Sequence, residues 1–306
     1  MQICVFCGKG GVGKTNSAVS FGVYSSQQLG KKTVLVDYDG GHSVTGTLGI
    51  TRPLRPNEIH HHREKLDVVV IENTPFVGIA KAKATGKKLS DYLEQFPGDY
   101  GLIPFADMMN AFFGIPTDVP TLQKYSTLVV IFQQLKSLGY EQVIIDVEPT
   151  AGFERLISNA DSTVRSLKQL SGKGLAFLAL VGAKWPDVAG YLRSDYIRNI
   201  DTYSVNILRM VTALRHAKYF LVAIPEAIPV KQTFEVRQII ESFGGRIQGY
   251  IVNNIRGESY EGENIARLER NGECVLRIAH RKELHSGHHN KLAILAEIGE
   301  AIASEM

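Results

Sequence analysis

Seven short runs of apolar residues recur along the chain and constrain the fold more than any other feature. Each has five to seven residues, is rich in valine and isoleucine, and lacks polar alternation. Such strands are typical of a parallel sheet covered by helices on both faces. The runs are 3–7, 33–37, 66–72, 142–146, 219–225, 249–255 and 274–279. The sequence therefore predicts an α/β fold, a doubly wound and mainly parallel sheet of about seven strands.

Two intervals between these runs are too long for one crossover helix. About 70 residues separate the third run from the fourth, and about 70 the fourth from the fifth. Helical patterns fill both intervals, and the last pattern in the first interval ends at Gly139. We therefore expect a single domain over residues 1–306, into which roughly 77–138 and 155–217 contribute a helical subdomain.

Residues 8–15 match the phosphate-loop pattern GxxxxGK[ST] between the first apolar run and a predicted helix. Glycines let backbone amides turn toward phosphate oxygens, and the helix N-terminus adds partial positive charge. Lys14 is expected to bridge the outer phosphates of a nucleotide, and Thr15 to hold Mg²⁺ through its hydroxyl. The predicted nucleotide-binding residues here are Gly8, Lys9, Gly10, Gly11, Val12, Gly13, Lys14, Thr15 and Asn16.

The loop contains a second lysine, Lys9, within KGGVGKT. This segment resembles the deviant phosphate loop (deviant Walker A) of the ATPase class that contains MinD, the nitrogenase iron protein, ArsA and the ATPases that target tail-anchored proteins. In that class the first lysine reaches the phosphates of the partner subunit across a two-fold interface. The resemblance therefore implies ATP and Mg²⁺ as cofactors, a homodimer that closes over two nucleotides, and catalytic roles for Lys9 and Lys14. The alternative is that Lys9 is a solvated loop lysine.

Two segments are similar to the nucleotide switches of the ArsA and tail-anchor-targeting branch. DYDGGHSVTGTLG, residues 37–49, resembles the first switch, and the resemblance assigns Asp39 to orienting the attacking water. The alternative for Asp39 is a turn or helix-capping role.

The segment VIIDVEPTAGFERLI, residues 143–157, resembles the second switch of that branch. The resemblance implies that Asp146 holds Mg²⁺ through a bound water. Glu148 and Phe153 depart from the family pattern, and they leave open how this segment responds to the γ-phosphate.

The C-terminal part resembles the family in VAIPE and YIVNNI. The resemblance implies that Asn253 reads adenine, since an amide supplies both a donor and an acceptor, and that Glu226 lies near the nucleotide or the dimer interface. The alternative is that both are polar residues at strand ends.

The resemblance implies an ATPase that targets or chaperones a hydrophobic, tail-anchored client or acts on a membrane-protein partner. The segment LIPFADMMNAFFGIP, residues 102–116, is apolar and contains adjacent methionines, which suit varied apolar ligands. Its alternative role is the core of the helical subdomain.

Two other functions stay open: the energising subunit of an arsenite or anion efflux pump, and a metal-insertion or reductase-partner ATPase like relatives of the nitrogenase iron protein. Both metalloids and clusters need converging cysteines. The chain has Cys4, Cys7 and Cys274, and its CVFC precedes the phosphate loop instead of forming the late CxxC zinc clasp of the targeting ATPases. We interpret Cys4 and Cys7 as core residues.

Composition limits which partners and which cellular environment the sequence is compatible with. The formal charge of +3, from 34 basic and 31 acidic residues, does not indicate a nucleic-acid partner. Three cysteines favour a reducing, cytoplasmic environment, and we expect no transmembrane segment because no run reaches about 18 apolar residues. The histidine runs at 60–62 and 285–289 are interpreted as solvated loop residues, and their alternative role is metal binding.

Overall fold

The computed structural model describes residues 1–38, 41, 43–72, 128, 130–147, 157, 208–270, 273–281, 284 and 291–304. By its internal contacts the chain divides into two compact units, one of residues 1–72, 131–157 and 213–306, the other of 73–130 and 158–212. Almost all described residues belong to the first unit. The predicted subdomain at 77–138 and 155–217 lies mostly outside the described residues and stays a prediction.

The first unit is built on an eight-stranded sheet in the order β3-β4-β2-β5-β1-β6-β7-β8. All neighbouring strands are parallel except β3, which runs antiparallel to β4 at one edge. The strands are β1 Gln2–Cys7, β2 Thr33–Asp37, β3 His60–Arg63, β4 Leu66–Val70, β5 Gln142–Asp146, β6 Lys218–Ala223, β7 Arg246–Ile255 and β8 Cys274–Ala279. The predicted doubly wound α/β fold is confirmed, and each of the seven apolar runs overlaps one strand.

The labelled helices are α1 Lys14–Gln27, α2 Ser43–Leu48, α3 Ala227–Phe243, α4 Glu261–Glu269 and α5 Lys291–Ser304, and residues 131–137 and 208–215 are also helical. Side chains of α1, α5 and the central strands form one apolar core. Within it the ring of Phe6 on β1 stacks on that of Phe220 on β6, with centroids 5.0 Å apart, and Phe21 of α1 lies beside both. This packing fixes α1 against the centre of the sheet.

The strand β3 was missed by the sequence analysis, and the interpretation of residues 60–62 as a loop is wrong. His60 and His61 pair with β4. The ring Nδ1 of His61 lies 2.8 Å from Oδ1 of Asp67, a buried carboxylate that also accepts a hydrogen bond from the Tyr140 hydroxyl. An edge strand has one partner and stays partly exposed, so it tolerates His and Arg and carries no apolar signal.

Candidate nucleotide-binding site

The loop between β1 and α1 lies at the carboxyl end of the central strand, between β5 and β6. Ligand sites of open α/β sheets lie at this edge. Gly8, with φ of 151°, packs so closely that a Cβ there would be 2.2 Å from the Val222 carbonyl oxygen. Gly13 has φ of 96°, and a Cβ there would be 2.1 Å from Nδ2 of Asn253. Neither position accepts a side chain, so the loop backbone lies tightly against the sheet.

Lys14, the first residue of α1, is buried, and its ammonium donates to the Lys9 carbonyl oxygen at 2.9 Å. The ammonium is thereby held across the loop. The α1 N-terminus has no side-chain cap, so its first-turn N–H groups are suited to an anion. Gly10 and Gly11 are exposed at the tip of the loop. The arrangement fits a phosphate chain.

Three oxygen-bearing side chains meet beside Lys14. The Thr15 hydroxyl donates to Oδ2 of Asp146 at 2.6 Å, and the Ser43 hydroxyl lies 3.4 Å from the first and 3.5 Å from the second. They come from α1, the end of β5 and the start of α2. Hydroxyl and carboxylate oxygens are the ligands that Mg²⁺ prefers, so the donor set fits the ion that the sequence predicts.

Sequence reasoning did not select Ser43 or Asp37 as site residues. Ser43 joins the oxygen cluster, and Asp37, buried at the end of β2, accepts from the backbone N–H of Val44 at 3.3 Å. Asp37 thereby holds the first turn of α2 against the sheet. Their only sequence signal was membership of the segment that resembles the first switch.

The other predicted site residues differ in where they lie relative to the loop. Asn253, at the end of β7, contacts the loop through its amide, which donates to the Val12 carbonyl at 3.1 Å. Glu226 is exposed just before α3, at the same sheet edge as the loop, and Asn16 accepts from Thr47 at 3.5 Å. Asp39 lies outside the described residues, as do Glu148 and Phe153.

Lys9 is half-buried, and its ammonium forms no ion pair with another residue in the described part of the chain. Its backbone carbonyl oxygen accepts the hydrogen bond from Lys14.

The three cysteines do not converge. Cys4 and Cys7 are buried in β1 and, three residues apart on a strand, point to opposite faces of the sheet. Cys274 begins β8, from which β6 and β7 separate β1, a span of about 14 Å at normal strand spacing. Burial raises the pKa of Cys4 to about 12 and that of Cys7 well above its ordinary value. The interpretation of Cys4 and Cys7 as core residues is confirmed.

No helix among the described residues is long and apolar enough to cross a membrane.

Comparison with known proteins gives a consistent result. A family model described as "Anion-transporting ATPase" (ArsA type) matches residues 1–281. The chain is 25% identical to a putative arsenical pump-driving ATPase of Chlorobaculum tepidum over 83% of this chain and 61% of the relative. It is 23% identical to a putative arsenical pump-driving ATPase 1 of Aquifex aeolicus (88% and 67%) and 22% identical to an ATPase ASNA1 homolog of Entamoeba dispar (81% and 74%). The match to the Chlorobaculum protein thus spans less than two thirds of that relative.

Proposed function

Because the chain belongs to the ArsA family of anion-transporting ATPases, we propose that it is a Mg²⁺-dependent ATP hydrolase that works as a nucleotide-switched homodimer. One observation carries the proposal: the Thr15 hydroxyl of the phosphate loop and the Asp146 carboxylate of β5 meet at 2.6 Å. Thr15 and Asp146 are distant in sequence, and each is expected to serve the same ion. They form one oxygen cluster beside Lys14.

In the proposed site each residue has a distinct task. Lys14 and the α1 N-terminus bind the phosphates, while Thr15 and Asp146 hold Mg²⁺, the latter through water. When bound, Mg²⁺ neutralises charge on the β- and γ-phosphates. Asp39 is proposed to orient the attacking water, and Asn253 to read the adenine.

Lys9 is proposed to act on the nucleotide of the partner subunit. Lys14 already lies across the loop of its own chain, so a second ammonium adds little there, whereas a lysine supplied in trans stabilises transition-state charge and couples hydrolysis to association. ATP binding then favours the closed dimer, and hydrolysis releases it. Glu226, exposed at the same edge, is proposed to lie near that interface or the nucleotide.

The first candidate for the process that ATP hydrolysis drives is the targeting or chaperoning of a hydrophobic, tail-anchored client in the cytoplasm. Support comes from the resemblance of 37–49 and 143–157 to the switches of the targeting branch, and from the methionine-containing apolar segment 102–116. That segment lies outside the described residues.

The second candidate is the energising subunit of an arsenite or anion efflux pump, which the names of the bacterial relatives favour. The separated cysteines argue against activation by arsenite at a thiolate site. They argue equally against a cluster-bearing ATPase related to the nitrogenase iron protein. Arsenite-stimulated, cysteine-dependent turnover would reverse this ranking.

The test measures both ATP turnover and the oligomeric state of the chain. Phosphate release is measured with ATP and Mg²⁺, and self-association by sedimentation with and without a non-hydrolysable ATP analogue. Lys14→Ala should abolish turnover, and Lys9→Ala should reduce both turnover and analogue-induced dimerisation. Lys231→Ala, an exposed lysine of α3, serves as the charge-matched control and should behave as wild type.

Client binding is tested separately with an apolar helical peptide. ATP-dependent capture of the peptide by the full chain would support targeting.

The dimer mechanism has its own contradicting outcome. If the chain hydrolyses ATP as a monomer, and if Lys9→Ala leaves that turnover unchanged, the dimer mechanism is contradicted.

A further inference from the structure

Asn253 contacts the phosphate loop from the side of β7. Its Nδ2 donates to the Val12 carbonyl oxygen at 3.1 Å. The same nitrogen occupies the direction in which a side chain on Gly13 would project, 2.1 Å from a Cβ placed there. Asn253 therefore packs against the last two loop residues before α1.

An irregularity in the sheet lies at Asn253. The pairing of β7 with β8 is regular up to Val252 and shifts register before Ile255. Within the shift Asn254 has φ of 63°, and its Oδ1 lies 2.5 Å from Nδ1 of His280, the residue after β8. Irregularities of this kind re-aim side chains next to functional sites. Asn253 thus lies within a segment of β7 where the pairing with β8 is irregular.

The contact fixes the orientation of one peptide unit of the loop. The Val12 carbonyl and the Gly13 N–H belong to the same trans peptide, in which C=O and N–H point in opposite directions. With the carbonyl held toward Asn253, the Gly13 N–H points away from β7. Glycine permits both signs of φ, so without the contact this peptide could rotate and exchange an N–H donor for a carbonyl oxygen, which repels phosphate.

We propose that Asn253 is a positioning residue of the phosphate loop, which holds the Val12–Gly13 peptide in the orientation that binds a polyphosphate. The assignment rests on nucleotide binding at this loop, as proposed above. It is separate from adenine recognition by the same side chain, because an amide has two N–H groups and one carbonyl oxygen, and Val12 uses one N–H.

Inorganic tripolyphosphate separates the two roles because it has no base. Asn253→Ala should weaken tripolyphosphate binding, measured by calorimetry, about fivefold, the factor that one hydrogen bond corresponds to. Amide exchange of residues 8–14 in the ligand-free chain should become faster. Gln248→Ala removes an amide side chain from the same strand five residues earlier and should leave both quantities unchanged.

A second variant guards against a general loss of structure. Asn253→Asp keeps the shape of the side chain but cannot donate to Val12, and it should also speed the exchange of residues 8–14. Circular dichroism and urea midpoints identify any variant that is simply less stable.

The outcomes distinguish this assignment from the proposed function. Suppose that the wild-type chain binds tripolyphosphate, and that Asn253→Ala has the same tripolyphosphate affinity and the same amide exchange of residues 8–14. That result would overturn the positioning role alone. A wild-type chain that binds neither ATP nor tripolyphosphate would overturn the proposed function and the assignment with it.

Discussion

The hydroxyl of Thr15 lies 2.6 Å from the carboxylate of Asp146, although 131 residues separate them in the chain. Each residue belongs to a different recognisable segment, so a sequence motif can select each one but cannot place them together. At the residue scale the proposed chemistry depends on contacts of this kind.

Thr15→Ala removes the hydroxyl from the oxygen cluster. Because loss of even an outer-shell partner of a metal ligand costs about 10-fold to 100-fold in affinity or activity, we expect turnover to fall by at least that factor and the Mg²⁺ concentration for half-maximal turnover to rise. Thr15→Ser keeps the hydroxyl and should retain most activity. Equal Mg²⁺ dependence in wild type and Thr15→Ala would contradict the assignment.

Glu261 controls the stability of the turn after β7. Its buried carboxylate accepts from the backbone N–H groups of Arg256, Gly257 and Glu258 at 3.0, 2.7 and 3.0 Å. Burial opposes ionisation, but the three donors outweigh it and lower the pKa of Glu261. A folded-state pKa below the unfolded value of about 4.3 stabilises the fold above that pH, and the stabilisation is lost as pH falls through the folded-state pKa.

Glu261→Gln should therefore lower the urea midpoint at pH 7, and its difference from wild type should narrow below about pH 4. The exposed Glu263 in the same helix provides the control: Glu263→Gln makes the same charge change with little effect. A difference that stays constant down to pH 3 would contradict the role of the ionised carboxylate.

At the scale of elements, α5 supports the helix that carries Lys14 and Thr15. Gly299 of α5 lies so close to α1 that a Cβ would be 2.2 Å from the Ser20 carbonyl oxygen and 2.6 Å from Cβ of Tyr24. Glycine is thus the residue that allows the two backbones to approach. This contact links the stability of the fold to the placement of the phosphate loop.

Gly299→Ala should destabilise the fold by about 1–3 kcal/mol through overpacking, measured by urea unfolding. Gly262→Ala is the matched control, because Gly262 also lies in a helix but a Cβ there meets nothing within 4 Å. That change should stabilise the chain by about 0.5–1 kcal/mol. Equal effects of the two changes would contradict the close packing of α5 on α1.

At the scale of the whole molecule, the proposed dimer makes a prediction about mixtures. A Lys9→Ala chain keeps an intact site but lacks the lysine for its partner's site, and a Thr15→Ala chain has the reverse defect. In a mixed dimer the Thr15→Ala chain supplies Lys9 to the intact site of the other. Mixing should therefore restore turnover, up to about a quarter of wild type when chains pair at random in a two-fold dimer.

The two variants are mixed in equal amounts, exchanged without nucleotide, and assayed for phosphate release. If Lys9 acts within its own chain, the mixture shows only the mean of the two pure variants. That result would leave the phosphate loop intact as a site and remove the dimer from the mechanism.

The sequence by itself determined the central strands, because a strand covered on both faces must be apolar along its whole length, as β2, β4 and β5 largely are. It also determined the phosphate loop, because a glycine-rich turn between a strand and a helix is encoded by contiguous residues, and the family resemblance drawn from it is confirmed.

Only the tertiary structure decided which distant groups meet at that loop. The edge strand β3 gave no apolar signal, and neither Ser43 beside Asp146 nor Asn253 against Val12 is recorded in any local pattern. These contacts depend on the order of strands in the sheet, which brings the carboxyl ends of β5, β1, β6 and β7 to one edge. Residue periodicity specifies that a strand is buried, whereas its neighbours are chosen by the packing of the whole sheet.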